Sequence, residues 1–199
     1  MQITFKTLYI SFFLLLIIPS LTAQKIKGGI QAGATITQVD GDDYNGYHKA
    51  GVFVGTFAYY PFENIHCKLQ MEINYAQKGS RGVGSGIYKI ALHQVEIPIL
   101  FGWNFWKGFH LQAGPSFNIL ASAKEKFNGE DLETDHKFHI FELGGVADLN
   151  YYFEKYFGLG IKFNYSLSPI GRNYVLRNSG TYKTYMWNNA IIFYLYYQF

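Results

Sequence analysis

From Gln24 to the C-terminus the sequence alternates apolar and polar residues with period two, segment after segment, and nowhere sustains a 3.6-residue period. Successive side chains of a strand point to opposite faces, so such a chain folds into two-faced strands and not into helices. In 65–78 the odd positions hold Ile65, Cys67, Leu69, Met71, Ile73 and Tyr75, while the even ones hold His66, Lys68, Gln70, Glu72, Asn74 and Lys78. Phe109 to Ala121, Phe157 to Leu167 and Trp187 to Phe199 repeat the pattern.

Eight segments read this way: 26–38, 48–60, 65–78, 87–103, 109–123, 137–152, 156–168 and 185–199. Each is at least as long as the roughly 9–11 tilted residues that cross a bilayer, and longer than the five or six usual in soluble sheets. In 48–60, Val52 and Val54 compete with Phe53 and Phe57 for the apolar face, which leaves its outward side unassigned. Connections alternate in length, short at 61–64, 104–108 and 153–155, long at 39–47, 79–86, 124–136 and 169–184. Outer-membrane barrels have short periplasmic turns, longer extracellular loops and periplasmic termini. Aromatic residues gather at the short-turn end: Tyr59, Tyr60, Phe62, Trp103, Phe105, Trp106, Tyr151, Tyr152, Phe153, Tyr156, Tyr196, Tyr197 and Phe199. They are expected to form the periplasmic interfacial girdle.

In hydrocarbon every backbone N–H and C=O must be paired within the protein, so a sheet that enters must close on itself. The expected fold is all-β, an eight-stranded antiparallel up-and-down transmembrane barrel over 24–199, set in an outer membrane. Composition agrees: charged residues are 16%, against roughly 25% in soluble domains. A mean hydropathy of −0.02 leaves no room for a helical membrane bundle. With 18 Phe and 17 Tyr the chain has too much apolar surface to stay disordered. One cysteine excludes a disulfide framework, and a net charge of +3 calls for no nucleic-acid partner.

Residues 1–23 place Lys6 before an apolar run from Leu8 to Ile18, then Pro19 and small residues up to Ala23. That is the layout of a cleavable secretory signal, too short to span a bilayer and followed by no cysteine for lipidation. The mature chain is expected to begin at Gln24.

An eight-stranded bore is only wide enough to be filled by side chains. The inward parity supplies Lys68, Glu72, Glu96, Glu142, Asp148 and Lys162, with Gln31, Gln70, Gln94 and Gln112. Asp148 and Lys162 flank a turn centred near Lys155, so they are expected to pair inside the barrel.

Glu72-Ile-Asn-Tyr-Ala-Gln-Lys-Gly79, Glu96-Ile-Pro-Ile-Leu100, Leu111-Gln-Ala-Gly-Pro-Ser-Phe117, Glu142-Leu-Gly-Gly-Val146 and Gly158-Leu-Gly-Ile-Lys-Phe-Asn-Tyr-Ser166 resemble the PorT-like outer-membrane β-barrel family. The resemblance spans essentially the whole mature chain; its more specific parts are the Tyr-x-x-Lys-Gly ending and the Glu-Ile-Pro strand. It implies an integral outer-membrane protein and, from the family's namesake, an accessory role in protein secretion. It also implies that Pro98 sits mid-strand, where proline forfeits a ladder donor.

The remaining signals are weaker. His136 and His139 are three apart, which on a strand puts them on opposite faces, so they cannot chelate one ion and read as rim residues. His93 has outward parity, at headgroup level. Ser122, Asp135, His136 and His139 are the residues a rim hydrolase would use, but nothing in their spacing brings them into hydrogen-bond reach. Gly82, Gly84 and Gly86 lack the helix that a phosphate loop requires. Arg81, Arg172 and Arg177 all fall in expected extracellular loops, where arginine suits lipopolysaccharide phosphates. Glu125, Glu130, Asp131, Glu133 and Asp135 read as a solvated acidic loop without the spacing of a calcium site. Cys67 reads as a small hydrophobe. Tyr197 and Phe199 close the chain in the manner of the signal read by the barrel insertion machinery, and also belong to a last strand that must pair with the first.

The expectation is therefore a structural or interaction protein without catalytic residues, cofactor or metal, accessory to secretion or envelope maintenance. Its partners are outer-membrane lipid and lipopolysaccharide, the insertion machinery, and other envelope or secretion proteins met through the long loops. The alternatives are a soluble lipocalin-like periplasmic barrel, whose interior would be apolar and exterior polar, a rim-site enzyme acting on lipid or peptide, and a pore.

Overall fold

The structure, a computed structural model, describes residues 26–42, 46–83, 87–131, 138–177 and 180–199, and at 63, 83, 173–177 and 180–183 the backbone only. The strands are β1 Lys27–Asp40, β2 Lys49–Phe62, β3 Cys67–Val83, β4 Ile87–Trp106, β5 Phe109–Phe127, β6 Glu130–Asp131, β7 Phe141–Tyr152, β8 Phe157–Ser166, β9 Gly171–Arg177 and β10 Gly180–Gln198. Eight of them form an antiparallel ring, β1-β2-β3-β4-β5-β7-β8-β10, closed by β1 on β10 from Gly29↔Gln198 to Asp40↔Trp187. Closure leaves no edge among these eight strands, as a spanning sheet requires. No described helix is long and apolar enough to cross a membrane.

The short turns are a 3-10 turn at Glu63–Ile65, the pair Lys107–Gly108, and 153–156. The opposite end departs from the expected loops. The 169–184 stretch is largely strand, because β9 pairs with the upper half of β10 from Met186↔Gly171 to Gly180↔Arg177. In the 124–136 stretch β5 runs on to Phe127, and a tight turn at Asn128 (φ 51) and Gly129 (φ 93) returns it into β6. Asn-Gly is the strongest short hairpin signal, since both residues accept positive φ, and here it outweighs the polar composition that read as loop. β7 begins at Phe141 and not at 137.

The outward side of β2 is the valine side: Val52 is 52% exposed and Phe53 2%. Glycines on the neighbouring strands explain this. Phe53 lies opposite Gly33 and Phe57 opposite Gly29; across the other ladder Tyr194 lies opposite Gly160 and Tyr196 opposite Gly158. Each inward ring covers a position with no side chain, which is how a narrow bore accommodates aromatics. Phe53, Phe57, Tyr59, Ala76, Ile192, Tyr194 and Tyr196 form one interior cluster, with Tyr152 against it. This corrects the expected girdle: Tyr59, Tyr152 and Tyr196 point into the bore, while Tyr60, Trp103, Phe105, Trp106, Phe153, Tyr156, Tyr197 and Phe199 remain exposed on the outside.

Pro98 is accommodated by a lapse in one ladder. Pairing of β3 with β4 passes from Met71↔Ile99 to Asn74↔Glu96, skipping Pro98, whereas Pro98↔Ser116 is kept on the β5 side. Pro115 is handled alike: β4–β5 pairing skips it, and Pro115↔Gly145 is kept on the β7 side. The missing N–H thus falls where no partner is presented.

Candidate functional site

Two regions carry polar chemistry, the bore and the outer end. Lys68, Glu72 and Lys78 share the even, inward parity of β3; Glu96 on β4, Glu142 and Asp148 on β7 and Lys162 on β8 meet them inside, and all seven are buried. Glu72 accepts hydrogen bonds from Gln31 Nε2 (2.9 Å), Gln70 Nε2 (2.7 Å), Asn74 Nδ2 (2.7 Å) and Lys162 Nζ (2.5 Å). Asp148 and Lys162 are direct cross-strand neighbours, with Nζ 3.9 Å from Asp148 Oδ2, so Lys162 bridges two carboxylates and lies closer to Glu72. Tyr194 OH donates to Asp148 at 2.8 Å. Glu96 pairs with Lys78 and accepts from Asn164 Nδ2 at 3.1 Å. Glu142 is held by neutral donors, Gln94 Nε2 (2.6 Å), Asn118 Nδ2 (3.1 Å), Ser166 Oγ (2.7 Å) and Asn188 Nδ2 (2.9 Å). Below them Lys68 lies over the rings of Tyr59 and Tyr152, 5.0 and 5.7 Å from their centroids.

Lys162 and Lys78 pair with Glu72, Asp148 and Glu96, Glu142 is satisfied by neutral donors, and together these side chains fill the bore as one buried polar network. The void among Lys68, Gln112, Tyr152 and Tyr196 is about 10 Å³, room for about one water. Toward the outer end Val39, Ile90, Leu92, Ile170 and Met186 close over the polar layer as an apolar stopper, with Phe138 packed against it.

Of the four expected rim residues, Ser122 and His139 are described. His139 shares a hydrogen bond with Pro169 O (3.0 Å); Ser122 lies opposite His93; Asp135 and His136 fall outside the described residues. His93 points outward and bonds Tyr75 OH at 2.6 Å, which satisfies an imidazole at the lipid boundary. The acidic stretch is split between faces. Glu125 is buried, while exposed Asp131 takes Lys126 Nζ at 2.9 Å, and that ammonium holds its carboxyl below the usual range. Glu133 and Asp135 are outside the described residues, and no group of three metal-ligating side chains converges among the described ones. Arg81 is exposed on β3; Arg172 on β9 stacks over Tyr185 at 5.8 Å; the Arg177 side chain, Gly84, Gly86 and residues 1–23 are not described. Cys67 Sγ contacts Ile65 O at 3.3 Å. At the C-terminus Phe199 N donates to Gly28 O (2.9 Å), and Tyr197 faces outward.

The inward reading omitted Lys78, although it shares the parity of Lys68 and Glu72, and missed three outer-end lysines, Lys49, Lys89 and Lys126, that line a cleft with Arg81. Like charges placed opposite on neighbouring strands show only once the register is known.

Ail of Yersinia pestis, solved in complex with the heparin analogue sucrose octasulfate, is similar with a TM-score of 0.52 and 13% identity, over 88% of this chain and 99% of that one. Neisserial surface protein A is similar with a TM-score of 0.54 and 12% identity, over 86% and 97%. At such identities the likeness is one of fold. No curated protein matches the sequence significantly. The outward faces present Ile30, Leu69, Ile73, Ile99, Phe117, Ile161 and Leu195 to the surroundings, which is the reverse of a lipocalin and suits lipid. This is an outer-membrane barrel. The model of the outer membrane protein beta-barrel domain matches residues 22–172, and the chain belongs to that family.

Proposed function

We propose that this chain is a structural and interaction protein of the outer membrane, in which a filled barrel anchors an outward β platform that meets other envelope or secretion proteins. One observation carries the reading. β3, β4, β5 and β10 have 17, 20, 19 and 19 residues, about twice what a crossing needs, while the bore beneath is packed and stoppered. Length spent outside a closed bore serves contact and not transport. A PorT-like accessory role in secretion fits this arrangement and rests on the sequence resemblance. Lipopolysaccharide contact through Arg81, Arg172 and Arg177 belongs to the same reading, as does recognition of Tyr197 and Phe199 by the insertion machinery.

A photo-crosslinking residue at exposed Tyr185, above the lipid belt, is expected to capture a discrete envelope protein in cells, whereas one at Phe163, inside the belt, captures none. Mass spectrometry of the adduct then separates a secretion component from an envelope-maintenance one. Equal capture from both positions, or from neither, counts against a protein-binding platform. Residues 1–23 serve as the export signal in this reading, and N-terminal sequencing of the membrane-extracted protein should begin at Gln24; an intact Met1 would make them an anchor.

A further inference from the structure

Ladder pairing of β2 with β3 ends at Phe53↔Ala76. Above it β3 lays its backbone on the inner face of β1 and β2. Thr35 Oγ1 donates to Gln77 O at 2.6 Å, Thr37 Oγ1 to Gly79 O at 2.8 Å, and a Cβ at Gly51 would meet Gln77 O at 2.5 Å. The wall overlaps itself there, and a seam of about 650 Å³ opens between residues 48–50 and the outward side of the β3–β4–β5 extension.

Four cationic side chains line the seam: Lys49, Arg81, Lys89 and Lys126. Arg81 lies directly opposite Lys89, and Lys89 directly opposite Lys126, so three positive charges stand in one row across three strands. Like charges placed so repel, and a chain keeps such a row at a cost in stability. Among the described residues no carboxylate lines the seam, and Asp131 pairs with Lys126 at 2.9 Å. Lys49 is 6% exposed, has Lys89 within Coulombic range, and shows no ion pair among the described residues. A buried ammonium left so is costly unless an anion joins it.

The height of the seam points to the source of that anion. On the outward face of β4, from Trp103 to the His93–Tyr75 pair, the rise is about 25 Å at barrel tilt, the whole apolar band. Lys89 is four residues further, about 10 Å above the hydrocarbon edge. Arginine grips a phosphate with two parallel hydrogen bonds and lysine adds point charge.

We propose that the seam is a binding site for a phosphate group of an outer-leaflet glycolipid, with Arg81 as the forked contact and Lys89 and Lys126 flanking it. This rests on the lipopolysaccharide contact proposed above and narrows it to one site built around Arg81.

The full chain, refolded in phosphatidylcholine nanodiscs, is titrated with bis-phosphorylated lipid A and with lipid A stripped of its phosphates. Wild-type protein is expected to prefer the phosphorylated form. Lys89→Gln/Lys126→Gln should bind it about tenfold or more weakly, as for a lost charged hydrogen bond. Lys89→Arg/Lys126→Arg and the short-turn control Lys155→Gln should bind as wild type, and all variants should keep heat-modifiable mobility. If wild type prefers phosphorylated lipid A but Lys89→Gln/Lys126→Gln binds it equally well, the seam is overturned and the general lipid contact stands. If wild type shows no preference, both fall. Displacement of lipid A by inorganic phosphate at equal concentration would make the ligand a free anion and overturn the lipid source.

Discussion

Replacing Lys162 with glutamate is expected to lower, by about 10 °C or more, the temperature at which the folded, fast-migrating gel band disappears. Lys162 is fully buried, bridges Glu72 and Asp148, and lies over the rings of Phe53 and Tyr194 at 5.3 and 4.9 Å. Removing one partner of a buried ion pair costs about 3–5 kcal/mol, because the other is left charged without compensation. A chain of this size loses about 2–4 °C per kcal/mol. Charge reversal adds a third carboxylate to a site that already holds two, so the shift should lie in the upper part of that range. The loss comes from orphaned charge and not from a missing attraction. Lys162→Met/Glu72→Gln/Asp148→Asn, which removes all three charges, should therefore recover most of it. Lys155→Glu, on an exposed turn, should move the transition by less than about 2 °C. A Lys162→Glu shift no larger than that of Lys155→Glu would mean that the β7–β8 register is not the one described.

The ring of strands is written plainly in the chain, because each strand has one face in lipid and one in a polar bore, and period two reports that contrast directly. The same contrast fails where both faces are apolar. In β2, Val52 and Val54 face out and Phe53 and Phe57 face in, and no hydropathy pattern separates two greasy sides. What decides is Gly29 and Gly33 on β1, which make room for the rings, a signal that lies on another strand and becomes legible only with the register. Tyr59, Tyr152 and Tyr196 turn inward against expectation for the same reason, since sequence position reports height along the barrel but not face. The polarity of the outer end suggests loop. Strands that stand clear of lipid lose the alternation that marks them, although Asn128-Gly129 announced one hairpin. The seam was hidden more deeply: Arg81, Lys89 and Lys126 are scattered in sequence and meet only through ladder pairing.

The largest effect is expected at a residue with no side chain. Gly33 lies opposite both Phe53 of β2 and Tyr194 of β10, whose rings meet across it at 5.6 Å. A Cβ added there would lie 2.6 Å from Tyr194 Cα and would collide with Phe193 O. Both are backbone atoms of the strand that closes the barrel, so no rotamer change relieves the clash; β1 and β10 must move apart. Ordinary overpacking costs about 1–3 kcal/mol. Here the relief also opens ladder bonds in hydrocarbon, where each unpaired N–H or C=O costs several kcal/mol more. Gly33→Val is therefore expected to yield no heat-modifiable protein on refolding in detergent, and Gly33→Ala a reduced folded fraction. Ala34→Val, one residue on and outward in parity, should refold as wild type, which separates the inward clash from β propensity and from handling of the first strand. Equal folded fractions for Gly33→Val and Ala34→Val would show that β1 and β10 do not close through this glycine.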